Sequence, residues 1–225
     1  MEAANREGVE VLQRGQSETV AVLDFETTGM SPALGDRPTE IAIALVRDGC
    51  IVDRYASLMN AGRRVPAEIT MLTGITNEMI ARAPPAAAVM DEAARFAGGY
   101  PLVAHNAAFD RRFWEAELAA LGRAPASFAC TRLIARRVYP QLPNHRLGSL
   151  VAQLRLPQNG RAHRALADAE MTCHLWLRLL RDIGAACGVT ALDHRTMVGL
   201  QKTARRHVPE YLNRLQERTG QALPT

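Results

Sequence analysis

The stretch Val20-Ala-Val-Leu-Asp24-Phe-Glu26-Thr-Thr-Gly29 is apolar for four residues and then carries two carboxylates two positions apart. In a strand every second side chain shares a face, so Val20, Val22, Asp24 and Glu26 project together. The two acids are then about 6.6 Å apart along the backbone, from a rise of about 3.3 Å per residue. Two anions on one face repel each other and resist desolvation, so they need a cation between them or a mouth open to water.

Outward from this strand, a loop carrying Ser31-Pro32, Gly35-Asp36 and Pro38 leads to two β-rich runs, 41–46 and 51–58. Arg47-Asp48-Gly49-Cys50 joins them, and Asp-Gly between such runs is a hairpin signal, so the first three strands form an antiparallel meander. From Pro66 the texture turns helical, with pieces at 76–79 and 86–97, the second closed by Gly98-Gly99. A short apolar strand, 101–105, leads into a helix predicted over 106–122, with Asn106 as N-cap and Gly122 as stop. Short helices follow near 131–138 and 147–154. The longest periodic stretch, 165–181, places Leu166, Ala169, Cys173, Trp176 and Leu180 at three- and four-residue steps. Trp114 and Trp176 fit core packing. A strand meander followed by strands alternating with helices implies an α/β fold, a mixed sheet flanked by helices. Residues 1–17 are polar and aperiodic, predicting a mobile tail; residues 18–183 form the domain; residues 184–225 are a Gly-broken, basic, helical extension. Without G-x-G-x-x-G or G-K-S/T after the first strand, no dinucleotide or P-loop site is supported.

Two further acids stand in unusual places. Asp110 falls in the opening turn of the helix after strand 101–105, where an anion is favoured and where open α/β sheets bind ligands. Asp168 shares a helix face with Met171, Thr172 and Leu175, and no Lys or Arg follows it at i+3 or i+4. Such a carboxylate costs several kcal/mol unless paired. Asp24, Glu26, Asp110 and Asp168 satisfy one another if they enclose two divalent ions, and hard Mg²⁺ or Mn²⁺ prefer oxygen ligands. A two-metal carboxylate site suits phosphodiester hydrolysis. His163 is the candidate general base, since an imidazole titrates near neutrality. Five helical residues would turn His163 away from Asp168, so both serve one site only if His163 lies on the loop before the helix. Taken singly, Asp110 fits a first-turn acid and His163 a surface histidine; the set points to chemistry.

Asp24-Phe-Glu-Thr-Thr-Gly, Val103-Ala-His-Asn-Ala-Ala-Phe-Asp110 and His163-Arg-Ala-Leu-Ala-Asp168 resemble the three motifs of the DEDD exonuclease family. The match is to its histidine branch, which includes the DNA polymerase III epsilon subunit and PolC-type proofreading domains. The similarity runs from about Val20 to Leu180, and Leu72-Thr-Gly-Ile-Thr76 also resembles a segment of that group. It implies an RNase H-like five-stranded sheet and a 3′→5′ exonuclease dependent on two Mg²⁺ or Mn²⁺ ions, held by Asp24, Glu26, Asp110 and Asp168. His163 would act on the attacking water, and Thr27 and Leu72 would sit against the terminal nucleotide. His105, Asn106 and Phe109, inside the second motif, are further candidates for nucleotide contact. From residue type alone, His105 and Asn106 read as structural, and Phe109 as keeping helical spacing.

Composition agrees with a nucleic-acid partner. The 225 residues carry a formal charge of +4 and a pI near 9.2, with Lys202 the only lysine, and basicity of this size supports a polyanionic partner weakly. Arg111, Arg112, Arg161 and Arg164 flank the motifs as candidate phosphate contacts, and Arg205 and Arg206 as distal ones. The expected partner is a single-stranded or frayed 3′ end, DNA favoured over RNA. Residues 184–225 are the candidate region for docking on a polymerase or for self-association. Cys50, Cys130, Cys173 and Cys187 form no C-x-x-C pair, which reads as buried thiols in a reducing compartment. No apolar run reaches the ~20 residues of a membrane span, so the expected location is the cytoplasm. The alternatives are an RNA 3′-end processing enzyme of the same superfamily, of oligoribonuclease or RNase T type, and a non-catalytic binding module. The module would be expected to have lost some of these acids.

Overall fold

The computed structural model describes residues 18–122, 126–158, 160, 163–189 and 192–220, the last three by backbone alone. The expected tail 1–17, Arg161 and residues 221–225 lie outside the described residues. Three strands open the fold, β1 (Val20–Thr27), β2 (Pro38–Arg47) and β3 (Cys50–Leu58). They pair antiparallel, as the meander reading predicts. Arg47 pairs with Cys50, and the two residues between, Asp48 (φ 50°) and Gly49 (φ 78°), are both left-handed. That is the two-residue turn whose twist matches a hairpin.

Three helices follow: α1 (Ala67–Thr73), α2 (Asn77–Arg82) and α3 (Ala86–Ala97). Thr76 caps α2 by accepting from the Met79 amide, and Gly98 ends α3 in the left-handed conformation. Strand β4 (Leu102–Ala104), helix α4 (Ala108–Ala119) and strand β5 (Phe128–Cys130) come next. Then come α5 (Thr131–Val138), α6 (Leu147–Gln153), α7 (Ala165–Cys187), α8 (His194–Lys202) and α9 (Val208–Gly220). The sheet order is β3-β2-β1-β4-β5, with β4 parallel to both neighbours. This is a mixed five-stranded sheet flanked by helices, the RNase H-like arrangement.

Strand alternation sorts the core. On β1 the odd residues Ala21, Leu23 and Phe25 pack against α3 and α4 with Met90, Phe113 and Trp114. The even residues Val20 and Val22 face α7 with Cys173, Leu175 and Trp176. Asp24 and Glu26 continue the α7 side. Each large side chain so buried contributes roughly 1.5–3 kcal/mol, and both tryptophans belong to these cores.

Several sequence expectations are corrected. Asn106 is not the N-cap of α4: the helix begins at Ala108, Ala107 precedes it, and Asn106 is left-handed (φ 67°). The glycine break expected after residue 183 falls at Gly188, which ends α7 in the left-handed conformation; Gly184 lies inside the helix, where the Val189 carbonyl approaches to 2.6 Å from where a Cβ would stand. Beyond it, Met197, Leu200 and Val208 join the core of the α7 face, so the helices after residue 184 are continuous with the body. Cys50 is exposed while the other three thiols are buried. No helix among the described residues is long and apolar enough to cross a membrane.

Candidate active site

The site lies where β1 outlasts its parallel neighbour. Strand β4 pairs with Ala21 and Val22 and ends at Ala104, leaving the Asp24 end of β1 with a partner on one side only. In that gap the Phe25 amide donates to Asp110 Oδ1 at 3.2 Å. This bond ties the first turn of α4 to the backbone between Asp24 and Glu26. Asp110 is 1% exposed. The β1–β2 register shifts between Glu26 and Thr27, an irregularity of the kind found beside active sites, where it re-aims side chains.

From the other side α7 brings Asp168. Ala165 and Ala169 pack on Ala42 of β2, and three small residues let the helix start come close to the sheet. Ligand atoms of Glu26, His163 and Asp168 all lie within 4.8 Å of one another. His163 is outside the helix, exposed and left-handed (φ 62°), as a shared site requires. Asp24, Glu26, Asp110, Asp168 and His163 are therefore brought together from β1, α4 and the start of α7.

The electrostatics follow from that crowding. Burial, then the charges of Asp110, Asp168, Glu26 and Glu40, push the Asp24 carboxyl well above its usual range. Burial pushes Glu26 up to about 8, with Asp168, Glu40 and Asp110 adding and Arg164 opposing. Asp110 rises to about 7 through burial, against hydrogen bonds from its own amide and that of Phe25. Asp168 is raised by burial, against the pull of His163. Without cations these acids hold protons they would give up in water. A donor set of clustered carboxylate oxygens with one imidazole at its rim fits hard divalent ions such as Mg²⁺ or Mn²⁺.

The remaining candidates are placed as follows. Thr27 is buried beside Glu26, its hydroxyl donating to the Gly29 carbonyl. Leu72 is 48% exposed on the last turn of α1. His105 bonds Thr131 Oγ1 through Nδ1 (2.9 Å) and the His145 carbonyl through Nε2 (3.1 Å). A carbonyl only accepts, so Nε2 carries the proton, and burial lowers the ring to about 4 and keeps it neutral. Asn106 Oδ1 accepts from Arg132 at 3.1 Å. Phe109 packs half-buried on Phe113, ring centroids 5.1 Å apart.

One acid escaped the sequence reading. Glu40 of β2 is the cross-strand partner of Glu26 and is 4% exposed. It accepts from Arg164 Nη2 (2.6 Å) and Nε (3.1 Å) and from the Ala165 amide (3.1 Å). It thus caps α7 from another strand, where Arg164 makes no side-chain cap of its own. Arg164, a candidate phosphate contact by sequence, is instead engaged by Glu40. The available signal was the period of two from Ala42 and Ala44 back to position 40.

The family model described as exonuclease (RNase_T) matches residues 21–176. The chain is similar to the DNA polymerase III PolC-type of Bacillus cereus, 36% identical over 168 residues, covering 74% of this chain and 12% of that protein. It is also similar to the 3′-5′ exonuclease DinG of Bacillus subtilis, 35% identical over 164 residues, covering 72% of this chain and 18% of that one. It therefore spans less than a fifth of either relative. Among solved structures, Exonuclease X in complex with 5′ overhanging duplex DNA superposes with a TM-score of 0.64 at 27% identity, covering 81% of this chain and 99% of that one.

Proposed function

The chain belongs to the RNase_T exonuclease family, and from that membership we propose that it is a metal-dependent 3′→5′ exonuclease. It removes nucleoside 5′-monophosphates from single-stranded or frayed DNA ends, in proofreading or repair. The observation that carries the reading is the convergence of four acids from three separate elements on one imidazole, with Glu26, His163 and Asp168 within 4.8 Å. Asp24, Glu26, Asp110 and Asp168 would hold two Mg²⁺ or Mn²⁺ ions. When bound, such ions neutralise the cluster, lower the pKa of the attacking water and offset charge on the leaving oxygen. A ring nitrogen of His163 takes the proton of that water, and its place outside the helix leaves the ring free to pass the proton to solvent. The Phe25 amide keeps Asp110 aimed into the cleft. Thr27, Leu72, His105, Asn106 and Phe109 border the terminal nucleotide; of these His105 acts through the His145 backbone it braces and Asn106 through the Arg132 side chain it holds.

DNA is favoured because the PolC-type relative is a DNA polymerase and the solved Exonuclease X carries duplex DNA. Residues 184–225 are the part we assign to docking on a polymerase or on a second copy. The test is purified protein with Mn²⁺ or Mg²⁺ and 3′-labelled single-stranded, duplex and 3′-mismatched DNA beside RNA of the same sequence. Stepwise mononucleotide release, faster from single-stranded and mismatched DNA, is expected. Internal cleavage or release from the 5′ end overturns the reading, and faster degradation of RNA moves it to an RNA-processing enzyme.

A further inference from the structure

A cavity of about 430 Å³ opens just past the end of β1, lined by Thr28, Asp36, Gly62, Arg63, Arg64 and Pro66. Thr28 stands two residues after Glu26, which ties one wall of the cavity to the strand that carries two of the acids. Its walls are fixed. The Thr28 amide donates to the Arg37 carbonyl (2.9 Å) and the Arg37 amide to Thr28 Oγ1 (3.0 Å), closing the loop after β1 at its base. The Arg37 guanidinium forks onto Glu117 (2.7 and 2.8 Å) and reaches the Ala61 carbonyl (3.4 Å), joining that loop to the segment before α1.

That segment is itself held at both ends. Gly62 turns left-handed (φ 70°) with its amide on Asn60 Oδ1 (3.0 Å), while Asn77 grips the Val65 amide and carbonyl (2.8 and 3.0 Å). Arg63 and Arg64 lie between these anchors, both exposed. Gly35 has no side chain to obstruct Arg63: a Cβ there would stand 3.3 Å from Arg63 Nη2. The one acid in the wall, Asp36, accepts from the Ser31 amide at 3.0 Å.

Neither arginine makes a hydrogen bond or ion pair among the described residues, whereas Arg37, Arg54, Arg164 and Arg178 each hold a carboxylate. Two unpaired guanidiniums facing one braced cavity present forked donors that match a phosphate. The neighbouring cleft is built of carboxyl groups and offers a phosphate no cation of its own until divalent ions enter it.

We propose that this cavity is a second phosphate site, in which Arg63 and Arg64 receive a backbone phosphodiester of the substrate strand on the 5′ side of the scissile bond. The inference rests on the exonuclease reading for what the strand is, and it supplies an affinity for the strand that needs no metal. The strand is then gripped at two places, by cations at the scissile phosphate and by guanidiniums upstream.

The test uses the full chain and the double variant R63A/R64A. With oligothymidylate the variant is expected to show KM raised about 10-fold with kcat within about 2-fold, the pattern of a lost phosphate contact. The dinucleotide dTpdT, whose only phosphate is the scissile one, is cleaved equally by both proteins. A single methylphosphonate scanned along the last few linkages raises KM for the unmodified protein at one position, and at that position has no further effect on the variant. In EDTA, anisotropy of a labelled oligothymidylate gives a Kd about 10-fold weaker for the variant, with a salt slope lower by about 1 to 2. An unchanged Kd in EDTA, or a methylphosphonate effect that persists in R63A/R64A, overturns the proposal. Failure of the exonuclease reading looks different: the unmodified protein then releases no mononucleotide, and the EDTA binding result alone decides the phosphate site.

Discussion

Glu26 and Glu40 face each other across the β1–β2 ladder, yet only Glu40 has a guanidinium clamped on it. Glu26 gets only a distant opposing pull from Arg164 and is pushed up to about 8. The pair separates two uses of a buried acid on one face. Glu40 is spent on architecture, joining β2 to the first amide of α7, while Glu26 keeps its oxygens for something else. This sets the first prediction. Glu40→Ala frees Arg164 and orphans the Ala165 amide, loosening the turn that presents His163. Arg164 is 39% exposed and can turn to water, so the expected stability loss is about 1–2 kcal/mol rather than the larger cost of a fully buried pair. Turnover should fall about 10-fold. Thermal unfolding and turnover measured in E40A, R164A and the double variant check this. If Glu40 acts through Arg164, the double variant is no worse than E40A, and additive losses would refute the coupling.

A second prediction concerns the trade between stability and activity. Asp24 is held well above its usual range first by burial and then by four acidic neighbours, so above the ordinary carboxylate range this group opposes the metal-free fold. Asp24→Asn should raise the melting temperature of metal-free protein by about 2–4 °C per kcal/mol of relief while abolishing turnover. Calorimetry in EDTA beside a nuclease assay in Mn²⁺ decides it. A variant with near-normal turnover would remove Asp24 from the metal set.

How much of this was legible beforehand depends on the range of the interaction. The period of two in β1, the Asp48-Gly49 turn and the Gly98 cap are local, and each formed where the sequence indicated. The acids and His163 were legible because each sits at an awkward place for its own element. What was missed depends on partners distant in sequence. Glu40 looks like an ordinary strand-end acid until Arg164, 124 positions away, closes on it. Gly184 shows no use in the sequence until the Val189 carbonyl is seen to need the space. Asn106 has the side chain of a cap but takes a left-handed turn with its amide oxygen on Arg132, so the helix begins two residues later.

A third prediction isolates the proton. His163 lies outside the helix with its ring exposed, so His163→Ala removes no packing and leaves the four carboxylates in place. Turnover should drop by about 10²–10⁴-fold, the range for loss of a general base, with unchanged thermal stability. Mn²⁺ binding by titration calorimetry should persist. Loss of ion binding in H163A would make the imidazole a ligand rather than a base.

A last prediction follows from the sign of the carboxyl shifts. Glu26 is raised to about 8 and Asp110 to about 7, so the folded chain binds protons more tightly than the unfolded one. Stability from these groups is therefore full below the unfolded carboxyl range, near pH 4, and is lost as pH rises towards 7 and 8. In that window metal-free protein should lose stability by up to roughly 1.4 kcal/mol per pH unit for each proton the unfolded chain releases. Mg²⁺ or Mn²⁺ reverses the loss, because the ions take the place of the retained protons and bind the deprotonated fold. Melting curves from pH 5 to 8.5, with EDTA and with Mn²⁺, should start close together at pH 5 and diverge upward. Curves that stay parallel, or metal-free protein that gains stability towards pH 8, would mean that these carboxylates do not share one crowded site.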